Sequence, residues 1–187
     1  VTALCKKYEV LTIVDDVRAG FRINLKGSNV AFAFSPDMIC FGKAIANGHP
    51  LASLVGTNDL KKAAERVYFT GTQFFSAPPM AAAIATLNEL EKADAPSALI
   101  QYGEKLNSRL EKAASDKGFN LVSSGIPSMP YYRLDGVTFE THIKWIDECV
   151  KRGIYMLAYH NHFISLAHSE EDIDFIEGAA KQAFENL

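Results

Sequence analysis

The chain alternates between two hydrophobic periods. Leu11-Thr12-Ile13-Val14 is a short apolar run of the kind that fills the middle of a parallel sheet. Asp15 and Asp16 follow where such a strand would surface at its carboxyl end. A carboxylate beside a core is costly unless something pairs with it, so this pair of acids needs an explanation. Residues 37–41 predict a second strand ending at Gly42-Lys43, and residues 51–55 a third, with a polar, Gly-containing loop between Arg22 and Ser35. Helical spacing predicts short helices over about 2–8 and 60–66, the second N-capped by Asn58 or Asp59. A stronger helix is predicted over about 79–92, where Ala81, Ala82, Ala83, Ile84 and Leu87 can pack closely. The next, over about 96–117, puts Leu99, Leu106 and Leu110 on one face and ends at Gly118.

Beyond that point the pattern changes. Strand-like pieces at 120–123, 129–134, 155–157 and 163–166 alternate with helices over about 139–152 and 170–185. Ser169 is the expected N-cap of the last helix, with Glu170, Glu171 and Asp172 favourable in its first turn. The expected organisation is an α/β unit over 1–117 followed by a small α+β unit over 118–187. Few strands of a sheet are present in the first part, and the chain opens inside a helix. It reads as a sequence that starts in the middle of a protein.

Composition narrows the class of function. The 187 residues are 48% hydrophobic and 22% charged, an ordinary globular balance. With 19 basic against 22 acidic residues the net charge is -3, and no basic stripe argues for nucleic acid. No apolar run reaches the roughly 18 residues needed to span a bilayer, so no membrane association is expected. Cys5, Cys40 and Cys149 are odd in number and far apart, which points to buried small hydrophobes and a reducing cytosol.

Asp15 and Lys43 are the candidate chemistry, because ligands of open α/β sheets sit outside the carboxyl ends of the strands. From spacing alone, a salt bridge or a lysine that caps a strand is the commoner explanation. A phosphate loop is excluded: Asp37 stands where the first glycine is needed, and Ala44 follows the lysine. His160-Asn161-His162 has no completing Cys, His or carboxylate cluster, so no metal site is expected. His49 and His168 read as turn and helix-start residues, and Trp145 as packing. Arg18 and Arg22 could clamp a carboxylate or pair with a neighbouring acid, and neither is assigned to the site.

"VDDVRAGFR" and "PDMICFGKAIANGHPLASLVG" together resemble class III, fold-type I pyridoxal-phosphate aminotransferases, in the glutamate-1-semialdehyde aminomutase-like branch. "YFTGT", "MAAAIATL" and "RGIYMLAYHNHFISLAHSEEDID" follow in that family's order. The resemblance covers essentially the whole chain but only the carboxyl-terminal half of a family member. It implies a partial fold of that class: part of the large parallel-sheet domain, then the small α+β domain. It further implies pyridoxal 5'-phosphate as cofactor, an amine or amino-acid substrate, and a homodimer.

Residue by residue, the resemblance makes Lys43 the Schiff-base lysine that moves the proton. It makes Asp15 the partner of the pyridine nitrogen and Val17 the packing against one ring face. Thr72 becomes the donor that reaches the cofactor phosphate across a dimer interface. Asp16 stands where the family usually has Glu and receives no ligand. Gln73-Phe74-Phe75-Ser76-Ala77 departs from the small residues that many relatives carry after the threonine. The competing expectation is a non-catalytic truncated remnant kept for association.

Overall fold

The computed structural model describes all residues, 1–187. They fall into two compact units, Val1–Pro96 and Ser97–Leu187.

In the first unit, α1 (Thr2–Lys7) leads to β1 (Ile13–Asp15), α2 (Ser28–Ala31), β2 (Met38–Phe41) and β3 (Ser53–Gly56). A short α3 (Lys61–Ala64) and the long α4 (Ala77–Lys92) come next. Pro78 and Pro79 sit in the first turn of α4, where the missing N–H groups cost nothing. The sheet order is β1-β2-β3. β1 runs parallel to β2, pairing Ile13 with Met38 and Asp15 with Cys40.

That register is locked at its start. The Thr12 backbone N–H and hydroxyl both donate to Asp37 Oδ2 at 2.7 Å. These bonds hold the Asp37 carboxyl below the usual carboxylate range. β3 is antiparallel to β2. The eleven-residue link between them holds only the short turn Lys43–Ala46 and no crossover helix. Nor is β1 buried: Ile13 is 60% exposed, and only Val14 turns partly inward. The core lies under β2 and α4, where Phe21, Phe41, Ile45, Ala46 and Ala83 pack together with Leu51 and Leu87 against them.

The second unit is built from α5 (Ala95–Ser115), β4 (Asn120–Ser124), β5 (Tyr131–Asp135), α6 (Phe139–Lys151) and α7 (Glu170–Phe184), with α5 starting two residues before it. β4 and β5 form an antiparallel hairpin. Helix starts obey local chemistry. Thr138 Oγ1 accepts the Thr141 N–H, and Ser169 and Asp172 form the reciprocal capping box of α7. One core joins Leu99, Leu106 and Leu110 of α5 to Leu134, Trp145, Ile173 and Phe184. Trp145 and Phe184 stack at 5.2 Å. The division thus falls in the first turn of α5, whose leucine face is buried in this second core.

The expected strands at 155–157 and 163–166 do not form. The chain still runs alongside residues 128–130 there, through His162 N–H to the Pro130 carbonyl (2.7 Å) and Ile164 N–H to the Ser128 carbonyl (3.1 Å). The Leu157 N–H is taken by His162 Nε2 at 3.2 Å, which removes a donor that a ladder would need. Of the three cysteines only Cys149 is fully buried, and burial pushes its thiol up to about 12. No helix is long and apolar enough to cross a membrane.

Candidate functional site

Asp15 closes β1 and Lys43 lies two residues beyond β2, at the same end of the parallel pair. The Asp15 side chain is exposed and accepts the Val17 N–H at 3.1 Å, which turns the chain as it leaves the strand. Lys43 is exposed too, and opens the 3-10 turn Lys43–Ala46. No salt bridge joins Asp15 to Lys43.

The backbone at Lys43 is strained. Its φ is +45°, in the left-handed region that non-glycine residues enter at a cost of about 1–2 kcal/mol. Such outliers concentrate where a side chain must be aimed. The adjoining turn stabilises it: Ile45 and Ala46 are buried against α4, and the Ile45 N–H donates to the Gly42 carbonyl at 3.1 Å. Val17 closes the other side. A Cβ added at Gly42 would lie 3.2 Å from Val17 Cγ1, so the valine packs directly over the residue before the lysine. The structure thus gathers Asp15, Val17 and Lys43 at one strand end.

The adjacent acids have opposite environments. Asp16, which received no role from sequence, is the buried one, at 1% exposure. Its Oδ2 accepts the Ser28 N–H of α2 at 2.8 Å, and its carbonyl accepts the Gly20 N–H at 2.8 Å. Its own N–H donates to the Cys40 carbonyl at 2.9 Å, extending the β1–β2 pairing by one bond. The buried Asp16 carboxylate is therefore compensated by the Ser28 backbone amide, while the Asp15 side chain is exposed. Arg22, in the same segment, is half-buried, and burial lowers its pKa.

Two groups of residues were missed. The Thr12–Asp37 lock sets the register that puts Asp15 beside Cys40, and Asp16 ties down the loop that carries Val17. The first could have been suspected from an acid at a strand start. The second has no signal beyond the doubling of aspartates.

Thr72 is exposed in the segment between α3 and α4, and no hydrogen bond links it to the other three residues. His160 and His162 do not gather a metal set. His162 is partly buried beside Tyr132 and holds the Leu157 N–H, and burial lowers its pKa. His168 Nδ1 accepts the Ser165 N–H at 3.0 Å.

The family description "Aminotransferase class-III" matches residues 1–169. An aminopentol aminotransferase of Sphingopyxis macrogoltabida is 38% identical over 96% of this chain and 43% of its own length. A 3-aminobutyryl-CoA aminotransferase of Cloacimonas acidaminovorans is 30% identical over 98% of the chain and 45% of its own. Among solved structures, the PLP internal aldimine form of the FumI protein of Sphingopyxis sp. MTA144 superimposes with a TM-score of 0.93 at 37% identity. It is matched over 98% of this chain and 45% of its own length. The chain thus spans about half the length of the relatives it matches.

Proposed function

Since the chain belongs to the class-III aminotransferases, we propose that it carries the lysine-bearing part of an enzyme that moves an amino group from an amine or amino acid. Its cofactor is pyridoxal 5'-phosphate. The observation that carries this reading is the parallel register, with Asp15 and the turn bearing Lys43 at one strand end and Val17 packed over Gly42.

These residues fit that cofactor by their chemistry. An outward carboxylate suits a protonated ring nitrogen, an amine suits an aldehyde, a branched apolar side chain suits a ring face, and a Gly-Thr turn suits a phosphate. When bound, pyridoxal phosphate supplies the electron sink that lets a proton leave the substrate's α-carbon.

The chain's own residues do the rest. Lys43 would hold the cofactor through its amine and would move the proton at the substrate's α-carbon. Asp15 would keep the ring nitrogen charged, and its bond from the Val17 N–H fixes the carboxylate's direction. Val17 excludes water from one face of the ring. Thr72 would donate to the phosphate of a cofactor held by a second copy, in a homodimeric working form.

Residues 1–96 then belong to the large cofactor domain, and the whole chain to the carboxyl-terminal half of the protein. Both curated relatives are named as aminotransferases, which favours transfer between molecules over the intramolecular transfer of an aminomutase. The unpaired thiols support a reducing cytosol as its compartment.

Adding pyridoxal phosphate should give a visible absorbance band that Lys43→Ala abolishes together with turnover, and Asp15→Asn should slow turnover. Wild-type turnover in Lys43→Ala would refute the assignment, and an unaltered rate in Asp15→Asn would remove that residue from the mechanism. If the cofactor neither colours the protein nor raises its melting temperature, the chain is an association module instead.

A further inference from the structure

The stretch after Thr72 contains two adjacent phenylalanines with different environments. Phe69 and Phe74 flank the segment 70–73, and their rings stack with centroids 4.4 Å apart and planes 18° off parallel. The Phe74 N–H donates to the Gly71 carbonyl at 3.0 Å, closing the turn from inside. The Phe74 ring also lies over Gly71 so closely that a Cβ there would meet its Cε1 and Cζ at 2.8 Å. Phe75 is different: it is 79% exposed and takes no part in the stack. No core holds this pair in place, because Phe69 is 66% exposed and Phe74 40%. What orders the turn is each ring resting on the other, with a glycine under one of them.

A surface segment containing glycine would otherwise sample many conformations, and an anion binding to it would have to order it first. We propose that Phe69 and Phe74 form an aromatic clasp that presets the Gly71-Thr72 turn to receive the phosphate of a cofactor bound to a second copy of this chain. Phe69 and Phe74 are positioning residues, and the inference rests on the Thr72 assignment made above. It also explains Gly71: any side chain there would lift the Phe74 ring off the turn.

The test compares binding of pyridoxal phosphate with that of pyridoxal, which lacks the phosphate, by absorbance titration of the full chain and its variants. Phe74→Ala and Gly71→Ala should each reduce the preference for the phosphorylated form by about two- to tenfold, the range expected for one aromatic pair. Phe74→Tyr, which keeps the stack, should restore the preference, and Phe75→Ala should leave it at the wild-type value.

If Thr72→Ala lowers the preference while Phe74→Ala and Gly71→Ala do not, the clasp is overturned and the threonine assignment stands. If Thr72→Ala leaves the preference unchanged, the threonine assignment fails and the clasp's function with it. Hydrogen exchange on the cofactor-free chain gives a second measurement. Phe69→Ala should speed exchange of the residue 74 amide by about two- to tenfold, and an unchanged rate overturns the clasp whatever the titrations give.

Discussion

Gly103→Ala sets two effects of opposite sign against each other. Gly103 lies inside α5, where alanine is intrinsically the better helix former by about 1 kcal/mol. On propensity alone the change should stabilise the protein. The tertiary structure reverses the sign. A Cβ at this position would lie 1.9 Å from the Pro127 carbonyl oxygen and 2.4 Å from its carbon. Both atoms are backbone, so no rotamer relieves the overlap. Reaching even 3.0 Å requires the helix and the 127 segment to part by about 1 Å, enough to forfeit a quarter to a half of the dispersion energy along the contact.

Leu99, Leu106 and Leu110 share that face of α5 and are all at most 5% exposed. If each contributes about 2 kcal/mol by burial, loosening the contact costs about 1.5–3 kcal/mol. The propensity gain offsets about 1 kcal/mol of this, leaving a net destabilisation of about 0.5–2 kcal/mol. Urea unfolding monitored by Trp145 fluorescence measures it directly, because the indole is fully buried in the same core. A midpoint equal to or above the wild-type value would refute the close approach of α5 to Pro127.

Asp16→Ala removes the acceptor of a buried amide, and the Ser28 N–H cannot reach water; the expected loss is about 1.5–3 kcal/mol, of which Asp16→Asn recovers part by keeping an oxygen. A melting temperature of Asp16→Ala equal to wild type would show that the bond does not hold the Val17 loop. The second unit should also lose stability in acid through His142. Burial lowers this imidazole below its ordinary 6.5, and the nearby Arg133 adds to the effect. The unfolded chain therefore binds more protons than the folded one in the window below pH 6.5. Stability is complete above that value and falls as the pH drops towards the folded pKa. Since His162 is shifted the same way, His142→Gln should flatten this limb only in part, and an unchanged slope in that variant would remove His142 as its source.

What could be read from the chain by itself was local. The leucine spacing of α5 and the Ser169 cap of α7 depend on contacts within a few residues, so periodicity and capping chemistry placed them. The acid and the lysine at neighbouring strand ends were legible for the same reason, as was the family, whose short motifs keep their order. The structure alone decided which of two identical adjacent aspartates is buried. That depends on the turn after β1, where Asp15 faces solvent and Asp16 finds the amide of Ser28, a residue no periodicity connects to it. It also decided that β3 returns antiparallel, that 155–157 and 163–166 stay irregular, and that α5 packs with the second unit. The register that puts Asp15 beside Cys40 belongs here too, since its lock joins Thr12 to a carboxylate 25 residues away. Hydrogen-bond partners and burial are properties of segments meeting in space, and a strand's own residues do not specify what it will meet.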